Sequence, residues 1–200
     1  MRQRLFLLPL ALVALPLLAQ DRSMSGGFQL GALKPLGSSD LNGSGHPTVS
    51  SKDIVDGKIG FFVGGHFTWN FSGGGAFRLR LDSSALTGTF SPELAAAAGF
   101  PFDAKVNTIG LMGDYVHHFS GKSEGFYLTV GLGYERTRVE LDFNGITDSE
   151  SKNALALAAG FGMQVNPLIG VECRYVTSRP DFDNFKIKND RVTLGLSFSF

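Results

Sequence analysis

The sequence predicts an all-β chain: an eight-stranded antiparallel up-and-down transmembrane β-barrel. Three observations carry that reading. In residues 191–200, Val192, Leu194, Leu196, Phe198 and Phe200 alternate without exception with Arg191, Thr193, Gly195, Ser197 and Ser199, which makes a strand with one apolar and one polar face. The same two-faced alternation recurs along the preceding chain, separated by turn-forming segments. Beyond the amino-terminal leader, no apolar run reaches the length of a membrane-spanning helix. A strand of about ten residues tilted by about 40° rises roughly 25 Å, the height of the apolar band of a membrane barrel.

The chain begins with basic Arg2 and Arg4, an apolar run over residues 5–18, and Ala19 as a small residue before Gln20. This pattern predicts a secretory signal peptide over residues 1–19 and leaves residues 20–200 as one barrel domain. No cysteine follows the leader to carry a lipid anchor.

The first strand, residues 27–34, sets Phe28, Leu30 and Ala32 on its apolar side. The second, 57–71, presents Ile59, Phe61, Val63, Phe67, Trp69 and Phe71 against Gly60, Gly64, His66, Thr68 and Asn70, and Ser72 with three glycines then reverses the chain. The third, 76–82, opposes Phe77, Leu79 and Leu81 to Arg78, Arg80 and Asp82; the fourth, 106–118, opposes Ile109, Leu111 and Tyr115 to Thr108, Gly110 and Asp114. The fifth, 126–141, sets Phe126, Leu128, Val130, Leu132 and Tyr134 against Tyr127, Thr129 and Glu135. In the sixth, 153–165, Leu155, Leu157, Phe161 and Met163 face away from Gly160, Gly162 and Gln164. The seventh, 168–177, opposes Ile169, Val171, Cys173 and Tyr175 to Gly170, Glu172 and Arg174, and residues 191–200 are the eighth.

Short turns and long connections alternate, which places both termini at the short-turn end; in an outer-membrane barrel that end is periplasmic and the long connections are extracellular. The long connections are expected over residues 35–56, 83–105, 142–152 and 178–190. One contains a helix signal: Ser91 as cap, Pro92 in first position, Glu93 in the first turn and Gly99 as stop. Asn144-Gly145 marks a turn.

A soluble barrel with its apolar side chains inward has the same period, so the contents of the polar face must decide the orientation. That face carries a stripe of glycines beside long charged side chains, as a narrow interior requires. Arg78, Arg80, Arg174 and Arg191 are matched by Asp82, Asp114, Glu135 and Glu172, which predicts an internal network of paired charges. Aromatic residues provide a second test, because they collect at membrane interfaces. Phe28, Trp69, Phe71, Phe77, Tyr115, Phe126, Phe161, Phe198 and Phe200 fall toward the short-turn end, and Phe61, Tyr134 and Tyr175 toward the other.

The remaining composition excludes several classes. Formal charge is zero, which argues against nucleic-acid binding. Cys173 is the sole cysteine, so neither a disulfide framework nor a thiolate metal cluster can form; no cofactor or metal site is expected.

The leader, the alternating strands, residues 170–175 in the penultimate strand and the aromatic carboxy-terminal strand together resemble small outer-membrane barrels of the OmpA and OmpX type. The resemblance implies a bacterial outer-membrane location and folding by the barrel-assembly machinery, with Val192, Leu194, Leu196, Phe198 and Phe200 resembling its recognition signal. Where full-length OmpA proteins continue into a carboxy-terminal peptidoglycan-binding domain, none is expected from residues 1–200, and wall anchoring is not expected of them. The expected function is a non-enzymatic structural or surface-interaction barrel, with outer-membrane lipids, including lipopolysaccharide at Arg136 and Arg138, as partners. A narrow porin-like channel is the alternative. A lipid-modifying enzyme built on His117, His118, Ser120 and Glu124 is a third reading, opposed by the position of those residues at a short turn while lipid A lies in the outer leaflet.

Overall fold

The computed structural model describes residues 24–41, 47–99, 102–120, 124–143, 146–183 and 185–200. The predicted signal peptide and the Asn144-Gly145 turn lie outside them. In chain order the elements are β1 (Met24–Leu36), β2 (Thr48–Ser50), α1 (Ser51–Ile54), β3 (Gly60–Asn70), β4 (Gly75–Thr89), α2 (Pro92–Ala98), β5 (Asp103–His118), β6 (Gly125–Phe143), β7 (Ile146–Gln164), β8 (Ile169–Ser178), β9 (Lys186–Lys188) and β10 (Asp190–Ser199).

Eight strands close a barrel in the order β1-β10-β8-β7-β6-β5-β4-β3, and β1 completes it by pairing with β3. Every neighbouring pair is antiparallel. The carboxy-terminal strand runs along β1 from Gly27↔Ser199 to Leu36↔Asp190, so the chain ends meet at the rim that also carries the short β3-β4, β5-β6 and β7-β8 turns. We call this the turn end, and the opposite rim the loop end.

Across the band nearest the turn end, the outward side chains are mostly apolar and the inward ones mostly polar or small, with Met112, Val116 and Val176 as buried apolar members of the inward face. Val63, Leu81, Leu111, Leu132, Leu157, Leu194 and Leu196 are exposed on the outside. Arg80, Asp114, Glu135, Glu172 and Arg174 are buried inside. An interior of charge wrapped in exposed leucine, valine and phenylalanine is the reverse of a soluble barrel. The aromatic belt is contiguous in space: Trp69, Phe77 and Tyr115 are register partners across β3, β4 and β5, and Phe28 stacks on Phe198 at 4.8 Å.

Beyond this band the alternation reverses. Leu33, Leu86, Ala104, Val106 and Val139 turn inward and are buried, while Lys34, Thr87, Lys105 and Arg138 are exposed. The strands therefore continue past the point where an outward apolar face disappears. The connection expected over residues 83–105 shrinks to 90–102, because β4 runs to Thr89 and β5 starts at Asp103. The loop expected over 142–152 is instead strand, with β6 and β7 paired as far as Phe143↔Ile146. At β3 the correction has the other sign: the strand begins at Gly60 rather than at residue 57, since Asp56 and Gly57 adopt left-handed φ values of 49° and 65°.

The helix within residues 90–102 forms as its sequence dictates. The Ser91 hydroxyl accepts from the Leu94 amide at 3.3 Å, Pro92 occupies the first turn, and Gly99 closes it at φ 89°. It is not the sole structured connection, however. The one between β1 and β3 contains β2 and α1, and β2 pairs in parallel with β9 from the connection between β8 and β10. These segments and the inward faces of the strands share one apolar cluster: Val49, Ile54, Val55, Leu94, Phe182 and Ile187 pack over Leu33, Phe62, Leu86, Val106 and Val139. This cluster fills the loop-end mouth.

Candidate functional site

Because β-strand side chains alternate, every second residue of the band is delivered to one interior, and each inward charge there must find a partner or stay in the protonation state burial prefers. The arginines and carboxylates do meet. Glu172 of β8 accepts from Arg78 Nη1 at 2.9 Å and from Arg80 Nη2 at 2.7 Å, with the Tyr127 hydroxyl donating at 3.0 Å. Arg80 Nη1 donates to Gln29 Oε1 at 2.8 Å, and Gln29 Nε2 donates to Asp82 Oδ1 at 2.5 Å.

Asp114 of β5 accepts from Arg174 Nη2 at 2.5 Å, and Arg80 Nε lies 3.2 Å from its other oxygen as a charge contact. Asp82 is the loosest member, 3.8 Å from Arg174 and partly exposed. Nearer the loop end, Arg191 engages Glu135 with both terminal nitrogens, and Ser178 Oγ donates to the same carboxylate at 2.9 Å. Bidentate guanidinium–carboxylate geometry of this kind is the arrangement that best offsets the cost of removing both charges from water.

The glycine stripe explains how so many long side chains fit. A β-carbon on Gly64 would strike Asp82, one on Gly131 would strike Asp114, and one on Gly162 would strike the Tyr127 ring. Gly31 and Gly195 together make the floor on which Phe62 lies. Asp82, Asp114, Tyr127 and Phe62 thus each lie against a position that carries no side chain.

Several members of this cluster were not evident from charge alone. Gln29, Thr68, Tyr127 and Ser178 all join it through neutral hydrogen-bonding groups. Their inward place in the alternation was the available signal, because each shares a face with a residue of the charged set. Val192, Leu194 and Leu196 all stand on the outer face of β10, in line with Phe198 and Phe200.

The histidine–serine group does not assemble into catalytic geometry. His118 is buried inside with its ring 5.2 Å from that of Tyr127, whereas His117 points outward against Phe119. Ser120 donates to the backbone carbonyl of Glu124. Neighbouring residues on a strand face opposite sides, so consecutive histidines cannot converge on one hydroxyl. Among the described residues no cluster of three or more potential ligands is arranged to hold a metal ion. No described helix is long and apolar enough to cross a membrane.

The family pattern of the outer membrane protein beta-barrel domain matches residues 5–200. The chain belongs to that family. Comparison with curated protein sequences returns no significant match. Among solved structures, the attachment invasion locus protein Ail of Yersinia pestis, crystallised with the heparin analogue sucrose octasulfate, is similar at 16% identity and a TM-score of 0.58. The superposition covers 89% of this chain and 99% of that one. Neisserial surface protein A is similar at 16% identity and a TM-score of 0.56, over 89% and 97% of the two chains. The outer membrane protein OprG of Pseudomonas aeruginosa gives 16% identity and a TM-score of 0.55, over 89% and 96%. At such identities the likeness is one of fold.

The exposed apolar band is accordingly the surface that meets the lipid of the bacterial outer membrane. Directly beyond Tyr134 on the outer face of β6 come Arg136 and Arg138, both exposed. Arg138 is engaged by Glu140 at 3.0 Å and Ser149 at 3.1 Å. Lys105, also outward, stands opposite Glu140 across the β5-β6 ladder.

Proposed function

We propose that this chain is a non-enzymatic surface-interaction barrel, with both termini in the periplasm and the loop end outside the cell. The observation that carries this reading is the sheet that β6 and β7 extend beyond the lipid band. Those strands pair as far as Phe143↔Ile146, whereas β8 pairs with β7 only from Ala156 onward. The edge of β7 from Ile146 to Leu155 therefore has no ladder partner on that side among the described residues. An open edge offers backbone donors and acceptors to an added strand. Asp148, Glu150 and Lys152 lie along it, charges that discourage indiscriminate pairing.

The interior supports the same reading over that of a channel, because the apolar cluster at the loop end and the ionic network below it occupy the lumen in series. Val192, Leu194, Leu196, Phe198 and Phe200 are the proposed recognition signal for the barrel-assembly machinery. Arg136 and Lys105, just outside the band, are the proposed contacts for lipopolysaccharide phosphates; charge-assisted pairing suits them.

The experiment is a hairpin exchange on cells displaying the chain. Residues 140–149 are replaced by a two-residue turn, which shortens the open edge and leaves the lipid band intact. Retained assembly with lost attachment of cells to protein-coated surfaces is the expected result. Attachment equal to that of the unaltered chain, with surface protease failing to cut the β6-β7 hairpin on whole cells, would overturn both the role and the orientation.

A further inference from the structure

The lumen is stoppered at the loop end but hollow at the turn end. There a cavity of about 350 Å³ reaches up to Arg78 and His118, with Thr68, Ser25 and Ser199 on its walls and Glu124 at the rim. Pockets of this size hold small organic molecules. Two of the buried groups that line it have unused bonding capacity.

Arg78, with a side chain 8% exposed, uses Nη1 on Glu172 at 2.9 Å and Nε on Thr68 Oγ1 at 3.3 Å. Its Nη2 has no hydrogen-bond partner among the described residues. His118 is 5% exposed, and its Nδ1 is buried without a partner among the described residues. A guanidinium with one terminal nitrogen unengaged can donate a charge-assisted hydrogen bond to a planar or tetrahedral oxyanion.

Glu172 does not cancel this cation. Its oxygens are shared with Arg80 at 2.7 Å and the Tyr127 hydroxyl at 3.0 Å, so its charge is divided among three donors. Among the described residues, the other ionisable groups near the cavity are His66, whose Nε2 lies 3.4 Å from Ser199 Oγ, the main-chain carboxylate of Phe200 on its wall, and Glu124, which is exposed at the rim; the two carboxylates face solvent, which screens them. The hydroxyls of Ser25, Thr68 and Ser199 complete a donor-rich wall.

We propose that this cavity is a binding site for a small oxyanion, a carboxylate or a phosphate, held by Nη2 of Arg78 with His118 beside it. The site is separate from the open edge of β7 and independent of any surface role. Only its compartment, the periplasm, rests on the orientation proposed above, and a titration in micelles reads it whichever way the barrel is inserted.

The test uses the full chain folded in detergent micelles, titrated at constant ionic strength with sodium phosphate and, separately, with sodium acetate. Saturable amide and guanidinium NMR shifts are expected at Arg78, His118, Thr68 and Ser25, and the anion that saturates at lower concentration identifies the ligand class. Arg78→Met should weaken binding by about tenfold or more, the loss expected for one charge-assisted contact. Ser25→Phe fills the cavity without touching any ion pair and should abolish saturation; if Arg78→Met does not fold, this variant decides alone. Shifts that stay linear with concentration in the unaltered chain, or saturable shifts that persist unchanged in Ser25→Phe, would overturn the proposal.

Discussion

Arg80 and Glu172 meet at 2.7 Å across the full diameter of the barrel, since β4 and β8 are separated by three strands whichever way the wall is followed. The pair therefore fixes the cross-section rather than a single ladder. Removing the carboxylate leaves two buried guanidinium groups, those of Arg78 and Arg80, without their shared partner. Glu172→Ala should destabilise the folded barrel by about 3–5 kcal/mol, the range for breaking a buried ion pair from one side. Its position above the hollow turn end places it toward the lower value, because water can reach Arg78. Denaturant unfolding from lipid vesicles measures the loss, and a change below about 0.5 kcal/mol, the ordinary effect of a surface substitution, would contradict the assigned geometry.

The outward face of β10 gives a prediction of opposite character. Leu196 is 44% exposed and pairs with Leu30 and Val171 in the middle of the lipid band. Arginine there must place its charge in lipid at a cost of about 2–4 kcal/mol near the midplane. The inward neighbour Ser197 is paired with Gly170 across the β8-β10 ladder and is smaller still as alanine, so Ser197→Ala should fold like the unaltered chain. Equal outer-membrane yields of Leu196→Arg and Ser197→Ala would argue against lipid on that face.

The sequence was most legible where lipid imposes a single rule. Along β10 and the first half of β6, each outward residue must be apolar, and the strand and its orientation follow from inspection. Past Tyr134 and Leu155 the rule changes sign, because the strands leave lipid for water and Leu141, Val139 and Val106 turn inward as they would in a soluble barrel. A search for outward apolar residues stops at that boundary and takes the remainder of the hairpin for a loop. The charged set was legible as a composition of one face. Its partners were not, since Arg80 reaches Glu172 from 92 residues away through a register that no local pattern encodes. The mouth-filling cluster was hidden for a related reason: Val49, Phe182 and Ile187 are isolated apolar residues in polar connections, and only closure of the barrel brings them together.

Outside the membrane, Asp183 and Lys152 tie the connection after β8 to the outer part of β7 at 2.5 Å. The hydrogen bond from Lys152 holds the Asp183 carboxyl below the ordinary range, and the same contact raises Lys152. For the carboxylate, the contribution is complete above its unfolded value of about 3.9 and is lost as pH falls through the lower folded value. For the ammonium, it is complete below about 10.4 and is lost as pH rises through the higher folded value. The contact should therefore be constant from about pH 5 to 9 and weaken with salt, as expected of an exposed pair. Protease cleavage near Arg179 and Lys186 measures it. Cleavage of the unaltered chain equal to that of Asp183→Asn, or a ratio between the two that changes markedly with pH within that window, would exclude this pair as the tether.

Conduction tests the two obstructions together. Eight strands enclose a lumen that side chains can just fill, and here it is filled twice: by the ionic network around Arg80, Asp114 and Glu172, and by the loop-end cluster that includes Phe182 and Ile187. Ile187 is fully buried and sits on β9, whose parallel pairing with β2 through Val49↔Ile187 holds two connections over the mouth. Ile187→Asp buries an unpaired carboxylate and should loosen that cover, while the network beneath still blocks ions. Glu172→Ala opens space in the network, while the apolar cover still excludes them. Neither change alone should give steady conductance in planar bilayers; the double variant should. Steady conductance from the unaltered chain would establish a channel, and from either single variant would mean that one of the two layers does not seal.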